Sequence, residues 1–261
     1  MILEEIAEKT RRRVAQAKEA KNPDAVMAEA KSLPASREFP FEQALAKDGI
    51  SFICEVKKAS PSKGVIAEEF PYLAIARDYE AAGAAAISVL TEPYYFQGSD
   101  RYLREIAQTV NIPVLRKDFT VDAYQIYEAK TLGAAAVLLI CSLLDTKTLA
   151  EYLRIADSLG LSALVEAHDE EEIACALRAG ARVIGVNNRN LRDFTVDIHT
   201  GTRLRTLVPG NVLFVAESGI KTARDVEELR RAKVSGVLIG ETLMKSPDKK
   251  AALDELRGIR L

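Results

Sequence analysis

Short runs rich in Val, Ile, Leu and Ala recur along the chain: SFICEV, AAISVL, IPVLRK, AAVLLICS, SALVEA, RVIGVN, VLFVAES and GVLIGE. Most are apolar almost throughout, as parallel strands covered on both faces are. Between most of them lie amphipathic segments of helical character, such as PYLAIARDYEAAG, DAYQIYEAKTLG, DTKTLAEYLRIADSLG and DEEEIACALRAG. Several open on Asp, a favourable N-cap. They close on Gly83, Gly133, Gly160 or Gly180, the residue that suits the left-handed position past a helix end. The junctions repeat as AAGAAAISV, TLGAAAVLL and RAGARVIGV. A strand–helix unit iterated eight times predicts an α/β fold, a closed (βα)8 TIM barrel. A doubly wound open sheet would carry a glycine-rich dinucleotide turn after its first strand, and here that turn reads KKASPSKG.

No break in composition divides the repeat, so residues 1–261 are expected to form a single barrel domain. Residues 1–49 precede strand one as an N-terminal helical extension. Leu3, Ile6 and Val14 with intervening alanines sketch one amphipathic helix, EFPFEQALAKDG a second, and NPDAV and SLPASR read as turns. The spacing leaves open whether these helices plug the barrel bottom or cover its top.

Composition narrows the partners. The 261 residues carry 36 Lys and Arg against 38 Asp and Glu, a net charge of −2, with no global attraction for nucleic acid or an anionic membrane. The basic cluster Arg11–Arg12–Arg13 has acids nearby and reads as a solvated helix face. Cys54, Cys141 and Cys175 form no CxxC pair, which suggests reduced thiols rather than a disulfide framework or a zinc site. His168 and His199 stand isolated, so a metal site lacks its usual ligands and none is expected. The opening MILEEIAEKTRRR has acids where a secretory signal would be apolar, and no run approaches the about 18 apolar residues of a membrane span. A cytoplasmic protein is expected.

In a (βα)8 barrel the active site gathers at the C-terminal ends of the strands. Those ends supply Glu55 and Lys57, then Lys117, Glu166, Asn187 with Arg189, and Glu217 with Ser218. Five strands bringing polar groups to one mouth predict a site, although a structural ion pair would explain any single member. Asp118 is expected to cap the following helix, and Lys58 to lie at the periphery. Gly219 and Gly240 fall where strands seven and eight turn toward helices, the usual phosphate loops of this fold, and Ser60 or Ser62 can add a hydroxyl. Glu241 is expected to offer its backbone N–H there with its side chain turned away. Glycoside hydrolysis by paired carboxylates fits poorly with the phosphate-type loops and the absence of Trp. A Schiff-base aldolase would use one lysine. Two lysines from different strands fit better with acid–base work on a carbonyl and the holding of an acidic substrate.

The motifs EVKKASPSKG, YYFQGS, LRKDF, LVEAH, GVNNRNL, VAESGI and LIGETLM resemble, in order and over nearly the whole chain, those of the indole-3-glycerol-phosphate synthase family. The resemblance implies conversion of 1-(2-carboxyphenylamino)-1-deoxyribulose 5-phosphate to indole-3-glycerol phosphate, with loss of carbon dioxide and water and with no cofactor or metal. It implies that Lys117 is the general acid at the substrate ketone, that Lys57 holds the anthranilate carboxylate, and that Glu166 acts in the dehydration. Glu55, Asn187, Glu217 and Ser218 would bind sugar hydroxyls and orient these groups, and Phe96, Phe119 and Leu138 would contact the aromatic ring. Glu241 stands where some members have serine. Alternatives are a sister phosphosugar barrel, either a phosphoribosylanthranilate isomerase or a Schiff-base aldolase, and a non-catalytic phosphosugar-binding barrel. The expected partner is a small-molecule phosphosugar, and the expected state a monomer.

Overall fold

Eight parallel strands close on themselves in chain order. They are β1 (Ser51–Val56), β2 (Ala86–Leu90), β3 (Val114–Lys117), β4 (Ala136–Ile140), β5 (Ser162–Ala167), β6 (Val183–Asn187), β7 (Leu213–Glu217) and β8 (Gly236–Ile239). The ring is sealed where β8 pairs with β1, with Ser51 opposite Gly236 and Cys54 opposite Ile239. This is the TIM barrel expected from the repeat. The computed structural model describes residues 2–190 and 193–259. Leu191, the last residue of the GVNNRNL motif, lies outside the described residues, as do Met1, Arg192, Arg260 and Leu261.

Alternation along each strand sorts side chains into two cores. Ile53, Ala86, Leu115, Ala136, Leu138, Leu164, Val183, Val215 and Leu238 fill the barrel interior. Phe52, Cys54, Ile87, Val89, Val137, Leu139, Ile184 and Phe214 point outward, into the layer between sheet and helices. Both faces are therefore buried, which accounts for the near-continuous apolar runs.

The outer helices are α4 (Tyr72–Ala81), α5 (Asp100–Ala107), α6 (Ala123–Thr131), α7 (Thr146–Ser158), α8 (Glu170–Ala179), α9 (His199–Arg205), α10 (Ala223–Arg231), α11 (Glu241–Lys245) and α12 (Lys249–Arg257). Asp122, Asp145 and Asp169 cap α6, α7 and α8 by accepting the amide N–H of Tyr124, Thr148 and Glu172. Gly160, past the end of α7, sits at φ +71°, and a β-carbon there would meet the Ser36 carbonyl oxygen at 2.5 Å. That position requires glycine.

The helices before β1 go to both ends of the barrel, a division spacing alone left open. In α1 (Ile2–Ala20), Ile2, Leu3 and Ile6 reach the cavity at the C-terminal mouth. In α3 (Pro40–Leu45), Phe41 and Leu45 close the opposite end and join the interior core, each contributing about 2–3 kcal/mol of apolar burial. The Ser51 hydroxyl donates to the Ala44 carbonyl and ties α3 to the start of β1. Between them, α2 (Pro23–Ser32) packs on α6. The Arg11–Arg13 cluster divides in a way the charge pattern did not show. Arg11 and Arg12 pair with Glu8 in solvent, whereas Arg13 turns inward onto Asp118. Among the described residues no helix is long and apolar enough to cross a membrane, and Cys54, Cys141 and Cys175 are free thiols.

Candidate active site

Strand parity decides what reaches the mouth. Leu164 and Glu166 share the inward face of β5, Val183, Gly185 and Asn187 that of β6, and Val215 and Glu217 that of β7. The lower member of each set packs in the barrel and the upper lines a cavity of about 730 Å³ at the C-terminal ends. All fifteen residues named above for the site line this one cavity: Glu55, Lys57, Ser60, Phe96, Lys117, Phe119, Leu138, Glu166, Asn187, Arg189, Glu217, Ser218, Gly219, Gly240 and Glu241.

Charge is concentrated at its base. Lys57 Nζ lies 2.5 Å from Glu55 Oε1. Lys117 Nζ lies 3.3 Å from Glu217 Oε2 and 3.7 Å from Glu166 Oε2. Glu55, Glu166 and Glu217 are at most 3% exposed, so three buried carboxylates share two ammonium groups. Burial opposes the Lys117 charge, but Glu217, then Glu166 and Glu55, outweigh it and hold the lysine well above its ordinary range. Burial also opposes ionisation of Glu55, and Lys57 overcomes it, leaving that carboxyl low. Glu217 takes up the imbalance. Burial raises it, Lys117 offsets only part, and nearby Glu166 raises it further. Its Oε1 is buried without a hydrogen-bond partner.

Two glycines give these groups room. A β-carbon on Gly185 would press into Glu217 Oε1 and stand 3.1 Å from Leu164 Cδ1. One on Gly240 would press into Glu55 Oε1 and stand 2.9 Å from Lys57 Nζ. Gly240 was expected for phosphate contact, and the structure adds space for the Lys57–Glu55 pair.

At one end of the cavity the chain leaves β7 through Ser218 and Gly219, both left-handed at φ 68° and 82°. The turn is fixed by Asn188, which donates to the Ser218 carbonyl at 3.0 Å and accepts from the Gly201 amide at 2.9 Å. Glu241 begins α11, and its carboxylate accepts from Lys245 at 2.6 Å along its own helix, with Lys63 at 3.9 Å. Ser60 comes from a small hairpin, residues 59–60 against 64–65, and Lys63 and Lys221 add cations the motif reading passed over. At the other end Phe96 and Phe119 face each other with centroids 6.1 Å apart, beside Leu138 and α1. The Glu92 carboxylate accepts the amide N–H of Tyr95 at 2.7 Å and of Phe96 at 3.0 Å, and so sets the Phe96 loop.

Asp118 departs from expectation. Asp122 caps α6, and Asp118 instead accepts two bonds of 2.8 Å from Arg13 and one of 2.6 Å from the Thr91 hydroxyl. Residue types alone concealed this, because Arg13 lies 105 positions away. On the other side of Lys117, Arg116 is buried on Asp100 and Glu128. Both neighbours of Lys117 are thus anchored. His168, isolated in sequence, has its Nε2 3.2 Å from Glu166 Oε1. Its signal was the E-x-H alternation at a strand end followed by Glu172 four residues on. Among the described residues no three His, Cys, Asp or Glu side chains group to hold a metal ion.

Comparison with known proteins bears on the fold and on the family. The solved structures it resembles include 3-hexulose-6-phosphate synthase (TM-score 0.63, 16% identity, 81% of this chain and 100% of that one). A thiamine phosphate pyrophosphorylase from Pyrococcus furiosus gives a TM-score of 0.59 at 19% identity, over 80% of this chain and 94% of that one. At such identities the likeness concerns the barrel alone. Sequence relatives are nearer. The indole-3-glycerol phosphate synthase of Ruminiclostridium cellulolyticum is 60% identical over 99% of both chains. That of Endomicrobium trichonymphae is 55% identical over 98% of this chain and all of its own. The family model described as indole-3-glycerol phosphate synthase matches residues 3–256, and the chain belongs to that family.

Proposed function

We propose that the cavity closes the pyrrole ring of 1-(2-carboxyphenylamino)-1-deoxyribulose 5-phosphate to give indole-3-glycerol phosphate, carbon dioxide and water. The observation that carries this reading is the convergence of Lys57, Lys117 and Glu166 from three strand ends on one cavity with an aromatic end and a glycine-lined end. Pure binding needs no such set of proton-active groups.

The chemistry follows from the charges. As the aryl carbon attacks the ketone, negative charge grows on the ketone oxygen, and the Lys117 ammonium protonates it. An ammonium stabilised by Glu217 and Glu166 gives up its proton only to a strong base, which that oxygen becomes in the transition state. Lys57 holds the ring carboxylate until it leaves as carbon dioxide. Glu166 then takes a proton from the ring as the new hydroxyl, protonated by the Lys57 ammonium that the lost carboxylate has freed, departs as water. Glu55, Asn187, Glu217 and Ser218 orient these groups and the sugar hydroxyls. Phe96, Phe119 and Leu138 hold the aromatic ring, and Arg189, Ser60, Gly219, Gly240 and the Glu241 amide receive the phosphorylated tail. A Schiff-base aldolase would need a neutral amine, and carboxylates surround Lys117 instead. The proposed working state is a monomer, and three free thiols suit the reducing cytoplasm.

The test is appearance of indole fluorescence from the carboxyphenylamino substrate. Lys117→Met should lower kcat about 10²–10⁴-fold with KM little changed. Near-normal turnover in that variant would remove Lys117 from the acid role.

A further inference from the structure

His168 follows β5 by one residue, and its imidazole stands between two carboxylates, Glu166 in the cavity and Glu172 on α8. Nδ1 lies 3.0 Å from Glu172 Oε2, which also accepts the His168 backbone N–H at 2.8 Å. The Ser142 hydroxyl donates to the other oxygen of Glu172. With both oxygens accepting, Glu172 is an ionised acceptor and Nδ1 carries a proton. Nε2 is buried and lies 3.2 Å from Glu166 Oε1, without an aligned hydrogen-bond partner. A neutral ring protonated on Nδ1 would set a bare Nε2 lone pair against that carboxylate. One further proton must lie between them.

We infer that His168 is a positioning residue of the proposed reaction, an imidazolium that keeps the Glu166 carboxylate ionised and turned into the cavity for its proton transfer. The inference rests on Glu166 acting in the dehydration. The two oxygens of Glu166 are already divided in the manner it needs. Oε1 is held from the loop side by His168 and, at 3.5 Å, by the Asn187 amide. Oε2 faces Lys117 at 3.7 Å. The contact to His168 is made by charge rather than by an aligned hydrogen bond, so a neutral amide in its place cannot supply the same field. The imidazolium keeps its proton throughout, and no bond to substrate forms on it.

The surroundings bear this out. Ser142, from the turn after β4, lies 3.4 Å from Nδ1, and the two carboxylates are faced in turn by Lys117 from β3 and Asn187 from β6 at Glu166, and by Cys141 near Glu172 with Cys175 of α8 beside it. Burial pushes the Cys141 thiol up, so it stays neutral. Burial works against a charged His168, but Glu166 and Glu172 outweigh it and raise the imidazole to about 10. Burial likewise raises Glu166, and Lys117 and then His168 reverse the shift and hold it low.

The chain has two histidines, which makes a direct test possible. In the ¹⁵N NMR spectrum of the full chain, with His199→Asn for assignment, both ring nitrogens of His168 should be protonated at pH 8. A neutral ring at that pH overturns the inference without recourse to any His168 variant. In kinetics, His168→Asn leaves an amide within reach of Glu172 and nothing at Glu166. The acid limb of its kcat profile should move up by about one to two pH units, with plateau kcat down about tenfold and KM within about twofold. His168→Gln, with a neutral donor nearer Glu166, should recover part of the plateau but keep the displaced limb. A His168→Asn profile that superimposes on wild type overturns the inference. Glu166→Gln separates the two readings. If it turns over normally, the role of Glu166 falls and this inference with it. If it is inactive while His168→Asn behaves as wild type, only the role of His168 falls.

Discussion

The smallest residues in the site do as much positioning as the charged ones. Gly185 is an inward-facing member of β6, one layer below Asn187, and by residue type it reads as a weak point in a strand. Its missing side chain is the space Glu217 occupies. Replacing it by alanine forces the carboxylate away from Lys117, whose 3.3 Å contact is the nearest the ammonium makes to a carboxylate. A displacement of about 1 Å at reacting groups typically costs about 10²-fold in rate. Gly185→Ala should therefore lose about that factor in kcat while keeping wild-type far-UV circular dichroism. Normal turnover would show that Glu217 tolerates displacement and that its place beside Lys117 is incidental. The charged members were readable because each ends an apolar run on the inward parity. Gly185 was not, because sequence shows no neighbour that would fill its space. His168 lay between these cases: its spacing to Glu166 and Glu172 was visible, but neither contact is implied until β5 and α8 are folded.

At the scale of elements, the repeat made the eight strands, their helices and the capping aspartates legible, since each depends on neighbours within a few residues. The placement of α1 was not. Leu3 and Ile6 would suit an amphipathic helix docked anywhere, and it is Arg13 gripping Asp118 that fixes α1 at the mouth. Removing Arg13 leaves a buried carboxylate, 1% exposed in its side chain, with Thr91, the Phe119 amide N–H and Arg116 as remaining partners. We expect Arg13→Ala to cost about 2 kcal/mol or more, lowering Tm by about 5 °C. KM should rise as well, because Ile2, Leu3 and Ile6 line the cavity. A drop in Tm with unchanged KM would make α1 a brace with no part in binding. The hairpin after β1 is a second element that few apolar residues announced. Ile66 and Ala67 donate to the Lys58 carbonyl, while Gly64 and Val65 remain exposed. Amide exchange should find 66–67 protected in the free protein and 60–64 protected only when a product analogue binds. Equal protection of 60–64 in both states would leave the hairpin a static connector.

For the molecule as a whole, the buried charges set how stability responds to pH. Glu55, Glu166 and Asp118 are held below their ordinary range in the fold, each against the cost of burial, by Lys57, by Lys117 and His168, and by Arg13 respectively. Their contributions are present above the unfolded carboxylate range and are lost as pH falls, the usual course of acid unfolding. His168 and Glu217 act in the opposite direction. The folded state raises His168 from 6.5 to about 10, so its contribution is complete below about pH 6.5 and disappears as pH rises toward 10. Glu217 is raised by burial from 4.5 to about 7, so the fold holds its proton more tightly than the unfolded chain does, and that contribution is lost earlier, between those two values. Most tyrosines and lysines titrate only near or above pH 10. A decline in unfolding free energy between pH 7 and 8, on the order of 1 kcal/mol, would therefore report His168, before the buried thiols of Cys54 and Cys141, which the fold also raises, add to it. Urea unfolding across that range should show it. His168→Asn should flatten the slope, because the imidazole that loses its proton is gone, whereas Glu217→Gln should alter the curve between about pH 4.5 and 7 instead. A wild-type curve level from pH 7 to 8 would mean that His168 does not carry its second proton in the fold, and the charge balance drawn for the cavity would have to be redrawn.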